Sequence, residues 1–164
     1  MPRIFVETQR FRSVWVYLII ALLGGLVAWG IVQQVILGVP FGNNPAPDWF
    51  LLVMGLLPLA LVWLFRRTIL STKIDQTGIH YRFAPFLNKW KVKNWKEIQK
   101  AEIVTYKPLR DYGGWGIRYG LKGKAYNVAG NQGLSIQLKN GKKLLLGTQK
   151  ADEMKQFLVD LKTS

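Results

Sequence analysis

The chain has 164 residues, and 23 Lys and Arg against 9 Asp and Glu give a formal net charge of +14. That length is too short for two ordinary soluble domains with linkers. The absence of Cys excludes a disulfide framework, a Cys-based zinc or iron–sulfur site and a cysteine nucleophile, and a single histidine, His80, excludes a His-pair metal site.

Residues 1–13 read as a short cytoplasmic segment bearing Arg3, Arg10 and Arg12. No charged residue occurs from Ser13 to Pro47. Within this stretch the apolar run Val14–Leu37, at about 1.5 Å per helical residue, spans roughly 36 Å, more than the roughly 30 Å of a bilayer core. A cleaved signal sequence is the competing reading, but the run is about twice the length of a signal's apolar region and no small-x-small cleavage site closes it. A second run, Trp49–Phe65, spans about 25 Å and carries Trp49 and Trp63 near its ends as interface aromatics. Neither run has the polar face of a soluble helix; only Gln33 and Gln34 interrupt the first. Residues 14–67 are therefore expected to form a transmembrane helical hairpin, with helices over about 14–37 and 49–65. The Gly-, Pro- and Asn-rich loop 38–48 must then lie outside the hydrocarbon. Arginines flank the pair at Arg3, Arg10, Arg12, Arg66 and Arg67 and the loop has no Lys or Arg, so both termini are expected in the cytoplasm. Ala21 and Gly25, like Gly24 and Ala28, stand four apart, a spacing that lets helices approach closely, either within the hairpin or between two copies. Pro58 removes a backbone donor and predicts a kink.

From residue 68 to 164 hydropathy alternates, and 18 basic residues face 7 acidic ones. Ile69–Asp75 and Ile79–Phe83 read as strands around the turn Asp75-Gln76-Thr77-Gly78. Lys89-Trp90-Lys91-Val92-Lys93 reads as a strand with one cationic face. Further strands are predicted over Ile98–Tyr106, Gly116–Gly120, Ala125–Ala129, Leu134–Leu138 and Lys142–Gly147. Lys122-Gly123-Lys124 is expected as a hairpin turn and Asn140-Gly141 as a type I′ turn. A closing helix is expected after Thr148 as N-cap. Met154, Phe157, Leu158 and Leu161 form its apolar stripe, with Lys155 and Lys162 facing out. Seven or eight strands and one amphipathic helix make a single α+β core.

The segments KIDQTGIHYRF, NWKEIQKAEI and GKKLLLGTQKADEMKQFLVDL, in this order after a two-helix hairpin, resemble the membrane-anchored bacterial pleckstrin-homology-like proteins of uncharacterised function. The resemblance covers residues 69–162 by pattern. It implies a PH-like, partly open β-barrel or sandwich of about seven strands capped by the C-terminal helix, on the cytoplasmic face of the inner membrane. Phosphoinositide-binding relatives of the fold use basic residues at the first hairpin turn. Here that turn is acidic, Asp75-Gln76-Thr77-Gly78, and the site is not carried over.

Two surfaces stand out. Lys89, Lys91, Lys93, Trp95 and Lys96 are expected to contact anionic lipid or, equally, to protect a sheet edge. The Gly-rich segment Lys107–Arg118 offers Arg110, Tyr112, Trp115 and Arg118 as a ligand or partner loop, against its alternative as a structural corner. No pair of acids is placed for general acid–base work, and neither Ser71 nor Ser135 sits in a nucleophile elbow. The expectation is a non-catalytic membrane protein without metal or cofactor, presenting a binding or scaffolding module. Its partners are membrane lipid, a protein or a second copy of itself, and not nucleic acid. The alternative is a self-assembling structural membrane protein.

Overall fold

The computed structural model describes residues 4–120 and 122–163, with the backbone alone for 162 and 163. Arg3 as a flanking charge and the outward side chain of Lys162 lie outside the described residues. The chain divides into two compact units, Ser13–Arg66 and the combination of Met1–Arg12 with Arg67–Ser164.

In the first unit, α1 (Val14–Ile31) runs on into one π-helical stretch, Val32–Ile36, and α2 covers Asp48–Arg67. Both helices, 23 and 20 residues with the π stretch counted, are long and apolar enough to cross a membrane. Apolar side chains are exposed around them; Ile20 and Gly30 are the buried residues of α1, and α2 has none. α2 continues through Pro58 as one helix. The helices touch where Gly24 faces Pro58: a Cβ on Gly24 would lie 3.1 Å from the proline Cβ. Gln34, one of the two polar interruptions, ties the connection. Its amide donates to the Ala46 carbonyl (2.7 Å) and to Asp48 Oδ1 (2.6 Å), and its Oε1 accepts from the Phe41 amide (3.3 Å).

The second unit contains two sheets. The first is an antiparallel meander, β1 (Phe5–Arg10), β2 (Ile69–Ile74), β3 (Gly78–Ala84) and β4 (Leu87–Asn94), in that order. The second has the order β5-β8-β9-β7-β6, from β5 (Ile98–Thr105), β6 (Gly116–Gly120), β7 (Gly123–Asn127), β8 (Gln132–Leu138) and β9 (Lys143–Gly147). β7 and β9 are parallel and every other pairing is antiparallel. The short α3 (Pro108–Tyr112) precedes β6, and α4 (Ala151–Thr163) closes the chain. Among the described residues, eight strands lie after residue 68, where seven or eight were expected, a ninth is β1, and the sheets do not close into a barrel.

Leu70, Ile74, Ile79 and Phe83 of the first sheet, Tyr126, Leu134, Ile136 and Leu146 of the second, and Met154 and Leu158 of α4 are buried core residues. Each such side chain contributes about 1.5–3 kcal/mol by its burial. Tyr126 joins the sheets: its ring lies 5.2 Å from Tyr81 and 5.9 Å from Phe83. Burial pushes the Tyr81 phenol up to about 12.

The main departure from expectation is β1. Residues 1–13 were assigned to a separate segment, yet Phe5–Arg10 pairs along its whole length with β2, from Phe5↔Ile74 to Arg10↔Ile69. The hairpin is thus inserted between two neighbouring strands of one sheet. The inward residues are Phe5, Glu7 and Gln9, so the usual alternation is missing. Thr148 Oγ1 (2.7 Å) and the Gln149 amide (2.8 Å) donate to the Glu7 carboxylate, and Gln9 Nε2 donates to the Gly147 carbonyl (2.6 Å), while Gln9 Oε1 is buried without a hydrogen-bond partner.

Three local expectations shift. Thr148 is not the N-cap; the Lys150 carbonyl accepts from the Met154 amide, and Thr148 Oγ1 instead accepts from the Lys150 amide. Gly123 and Lys124 belong to β7 rather than to a turn. Asn140 keeps a negative φ, which excludes type I′; Gly141 (φ 79°) carries the left-handed conformation and closes a three-residue loop.

Candidate functional site

The basic strand is β4, an edge of the first sheet. Opposed residues in an antiparallel pair share a face. The pairs Ile79↔Lys93 and Tyr81↔Lys91 therefore place these lysines on the inward side of the sheet, and His80↔Val92 places Val92 outside. Lys89 and Lys91 remain exposed and Lys93 is half-buried, 3.6 Å from Glu97. Inward-pointing lysines on an edge oppose pairing with a further strand. The outer face carries Trp90, with the Arg82 guanidinium 4.9 Å from its ring centre. Trp95 does not join the lysines: its indole N–H donates to the Asp75 carbonyl at 2.8 Å. Lys96 is exposed on the short turn Trp95–Glu97.

The turn that Trp95 holds is itself tightly bonded. Asp75 Oδ1 accepts from the Thr77 amide (2.9 Å), the Thr77 hydroxyl (2.5 Å) and the His80 ring (3.1 Å), and Lys73 Nζ lies 3.2 Å from Oδ2. Burial alone would push this carboxyl up, but the bonds from Thr77, His80 and Lys73 outweigh it and hold Asp75 well below the usual carboxylate range. His80 is thereby a structural hydrogen-bonding residue.

The Gly-rich segment forms a braced corner. α3 ends at Gly113 (φ 71°). Tyr112, read from sequence as a contact residue, is buried; its ring meets Tyr106 edge-on at 5.8 Å beside Ala125 and Leu145. The Trp115 indole donates to the Gly130 carbonyl (3.0 Å), and Arg118 Nε donates to the Trp115 carbonyl (3.0 Å). The Gly116 amide donates to Asn127 Oδ1, whose Nδ2 donates to the Tyr106 hydroxyl. Asp111 accepts from the Lys107 amide (3.0 Å) and pairs with Lys122 (3.1 Å), which hold its carboxyl below the ordinary value. Arg110 and Arg118 remain exposed, on a frame that is otherwise engaged in its own bonds.

A concavity that the sequence reading missed lies at one end of the second sheet. Tyr119, Lys122, Lys124, Lys142 and Lys143 line it. Its sequence trace is a pair of basic tips, Lys122-Gly123-Lys124 and Gly141-Lys142-Lys143. What joins them is the parallel β7–β9 pairing, Lys124↔Leu144, which local pattern does not reveal.

No protein-family model matches the chain, and no curated protein matches it significantly.

Proposed function

We propose that the chain is an integral membrane protein whose two apolar helices hold a non-catalytic, pleckstrin-homology-like β-domain at the cytoplasmic face of the cell membrane as a binding or scaffolding module. The observation that carries the reading is the β1–β2 pairing around the inserted helices. Arg10 and Ile69 are strand partners, four and two residues from Val14 and Arg67. A chain that leaves and returns to one sheet must cross a membrane an even number of times, so two spans and a same-side entry and exit go together. The arginines at both ends and the uncharged loop between support the cytoplasmic side. A four-stranded meander, a second sheet and a closing helix support the PH-like reading of the domain.

Single-cysteine labelling tests this in a chain that has no Cys of its own. In intact cells Asn43→Cys is expected to react with a membrane-impermeant maleimide. Asn140→Cys is expected to react only after permeabilisation. Equal labelling of both before permeabilisation would overturn the topology.

Self-assembly through the helices is the second reading. It draws on Gly25, whose added Cβ would meet nothing within 4 Å, in contrast to Gly24.

A further inference from the structure

We infer, on the membrane reading above, that the β3–β4 turn with Phe86 at its tip is seated in the headgroup layer of the bilayer that anchors the chain, and that the distal lysines of β4 stand clear of it.

Chain connectivity decides which end of the first sheet is near the bilayer. Phe11–Ser13 alone separate β1 from α1, and Thr68 alone separates α2 from β2. These connections are not slack. Phe11 and Thr68 are buried, and the Phe11 amide donates to the Thr68 carbonyl at 3.3 Å, one rung beyond Arg10↔Ile69. β2 leaves this end of the sheet and β3 returns to it, with Ala84 opposite Ile69. The turn Pro85–Phe86 then carries the chain past the level of Ile69 before β4 begins at Leu87. Opposed Cα atoms lie about 5 Å apart and two further residues reach at most about 7 Å, so Phe86 is within roughly 12 Å of Ile69. The polar layer on each side of a bilayer is roughly 5–8 Å deep, within reach of that tip.

The residues at this end suit an interface. Phe86 is 62% exposed, although its ring stacks on the buried Phe83 at 6.4 Å. One side of the ring is held by the core and the rest is bare. Trp90, also exposed, follows on the outer face under the Arg82 guanidinium, and Trp is a residue of membrane–water interfaces. Arg10, Arg82 and Lys89 are exposed as well. No Asp or Glu occurs in residues 8–12, 66–74 or 82–94. The acids stand at the other end, where Asp75 closes the β2–β3 turn and Glu97 follows β4. Basic side chains without acids among them are drawn to an anionic leaflet.

The register also divides the basic strand. Leu87 opposes Phe83, whereas Lys93 opposes Ile79 and Asn94 opposes Gly78, beside the Asp75 turn. At about 3.3 Å per residue, Lys93 lies up to about 20 Å along β4 from Leu87. Lys89 and Trp90 therefore belong to the near half of the sheet, and Lys93 and Lys96 to the far one.

Depth-dependent fluorescence quenching tests this on the full chain, which has no Cys of its own. One introduced cysteine carries an environment-sensitive fluorophore, in nanodiscs of phosphatidylcholine and phosphatidylglycerol with some lipid spin-labelled near the headgroup end of its acyl chain. Leu56→Cys, within α2, reports whether the helices are in the bilayer. Asn88→Cys puts the label beside Phe86 without removing the ring, and Lys96→Cys puts it at the far end. Quenching at Asn88→Cys is expected to exceed that at Lys96→Cys at least about twofold, since the quencher is confined to the bilayer. Adding Phe86→Asp is expected to bring Asn88→Cys down to the Lys96→Cys level. Circular dichroism checks that this variant folds, and the comparison of positions 88 and 96 does not depend on it. Quenching at Leu56→Cys, with Asn88→Cys no stronger than Lys96→Cys, overturns the proposal and leaves the membrane reading standing. No quenching at Leu56→Cys overturns both. A label at position 88 that is shielded from water yet unquenched marks a protein as the cover, and quenching there that survives Phe86→Asp removes Phe86 as the seat; either result overturns the proposal.

Discussion

Single side chains carry much of the domain's assembly. Glu7 is buried on a strand remote in sequence from its partners, Thr148 and Gln149. Glu7→Ala leaves two donors without their acceptor, and the expected loss is about 2–3 kcal/mol in chemical denaturation. Asp75 gives a pH-dependent counterpart. Its folded-state carboxyl is depressed by Thr77, His80 and Lys73 against the opposing effect of burial. Its contribution is therefore complete above the unfolded carboxylate value of about 3.9 and is lost as pH falls through the folded one. Asp75→Asn is expected to destabilise by about 1–2 kcal/mol at neutral pH, with the gap to wild type closing in acid below about pH 4. A gap that stays constant to low pH would contradict it. Residue roles of this kind were only partly legible. The Asp75 turn could be read from an acid, a threonine and a glycine in sequence. Glu7 and Gln9 could not, because a buried polar residue whose partner lies at the far end of the chain leaves no local signal. Tyr112 was misread for the same reason: a tyrosine among glycines looks available until Tyr106 is brought against it.

At the level of elements, strands with apolar alternation were legible and the connections were less so. β3 and β8 follow their pattern, since Ile79, Tyr81 and Phe83, and Leu134, Ile136 and Leu138, all turn inward. β4 could be found, but its facing could not, because register with β3 decides which side its lysines take. Lys91→Val/Lys93→Val makes the inward side of that edge apolar, and concentration-dependent self-association is expected in light scattering. A variant that remains as dispersed as wild type would remove the edge-protection role. The helices offer a matched pair. Gly24→Leu places a side chain against Pro58 and is expected to disturb hairpin packing. Gly25→Leu enters open space and is expected to leave the packing intact. If Gly25→Leu also abolishes a crosslinked ladder in membranes, the small-residue face works between chains; an unchanged monomer in wild type would sink self-assembly.

At the scale of the molecule, the division into an apolar half and a basic half was plain from the sequence, because charge-free runs of this length have few other readings. The insertion of one into the other was not. It depends on β1, whose polar inward face conceals it. The order β5-β8-β9-β7-β6 was equally hidden, since the parallel contact of β7 with β9 is made by backbones across glycine. The two missed features have different consequences. The first ties both ends of the helical pair to one sheet, and the second sets the β6–β7 and β8–β9 tips side by side.

The most direct measurement concerns the first. Thr8 and Ser71 are opposed partners on β1 and β2, and opposed residues in an antiparallel pair lie close enough for a disulfide. Thr8→Cys/Ser71→Cys would be oxidised in isolated membranes beside Thr8→Cys/Thr72→Cys, in which the one-residue offset points the two thiols to opposite faces. The expected result is an intrachain crosslink in the first variant alone, which requires residues 8 and 71 to share a sheet and one side of the bilayer. No crosslink in the first, or equal crosslinking in both, would contradict a domain completed across an inserted membrane hairpin.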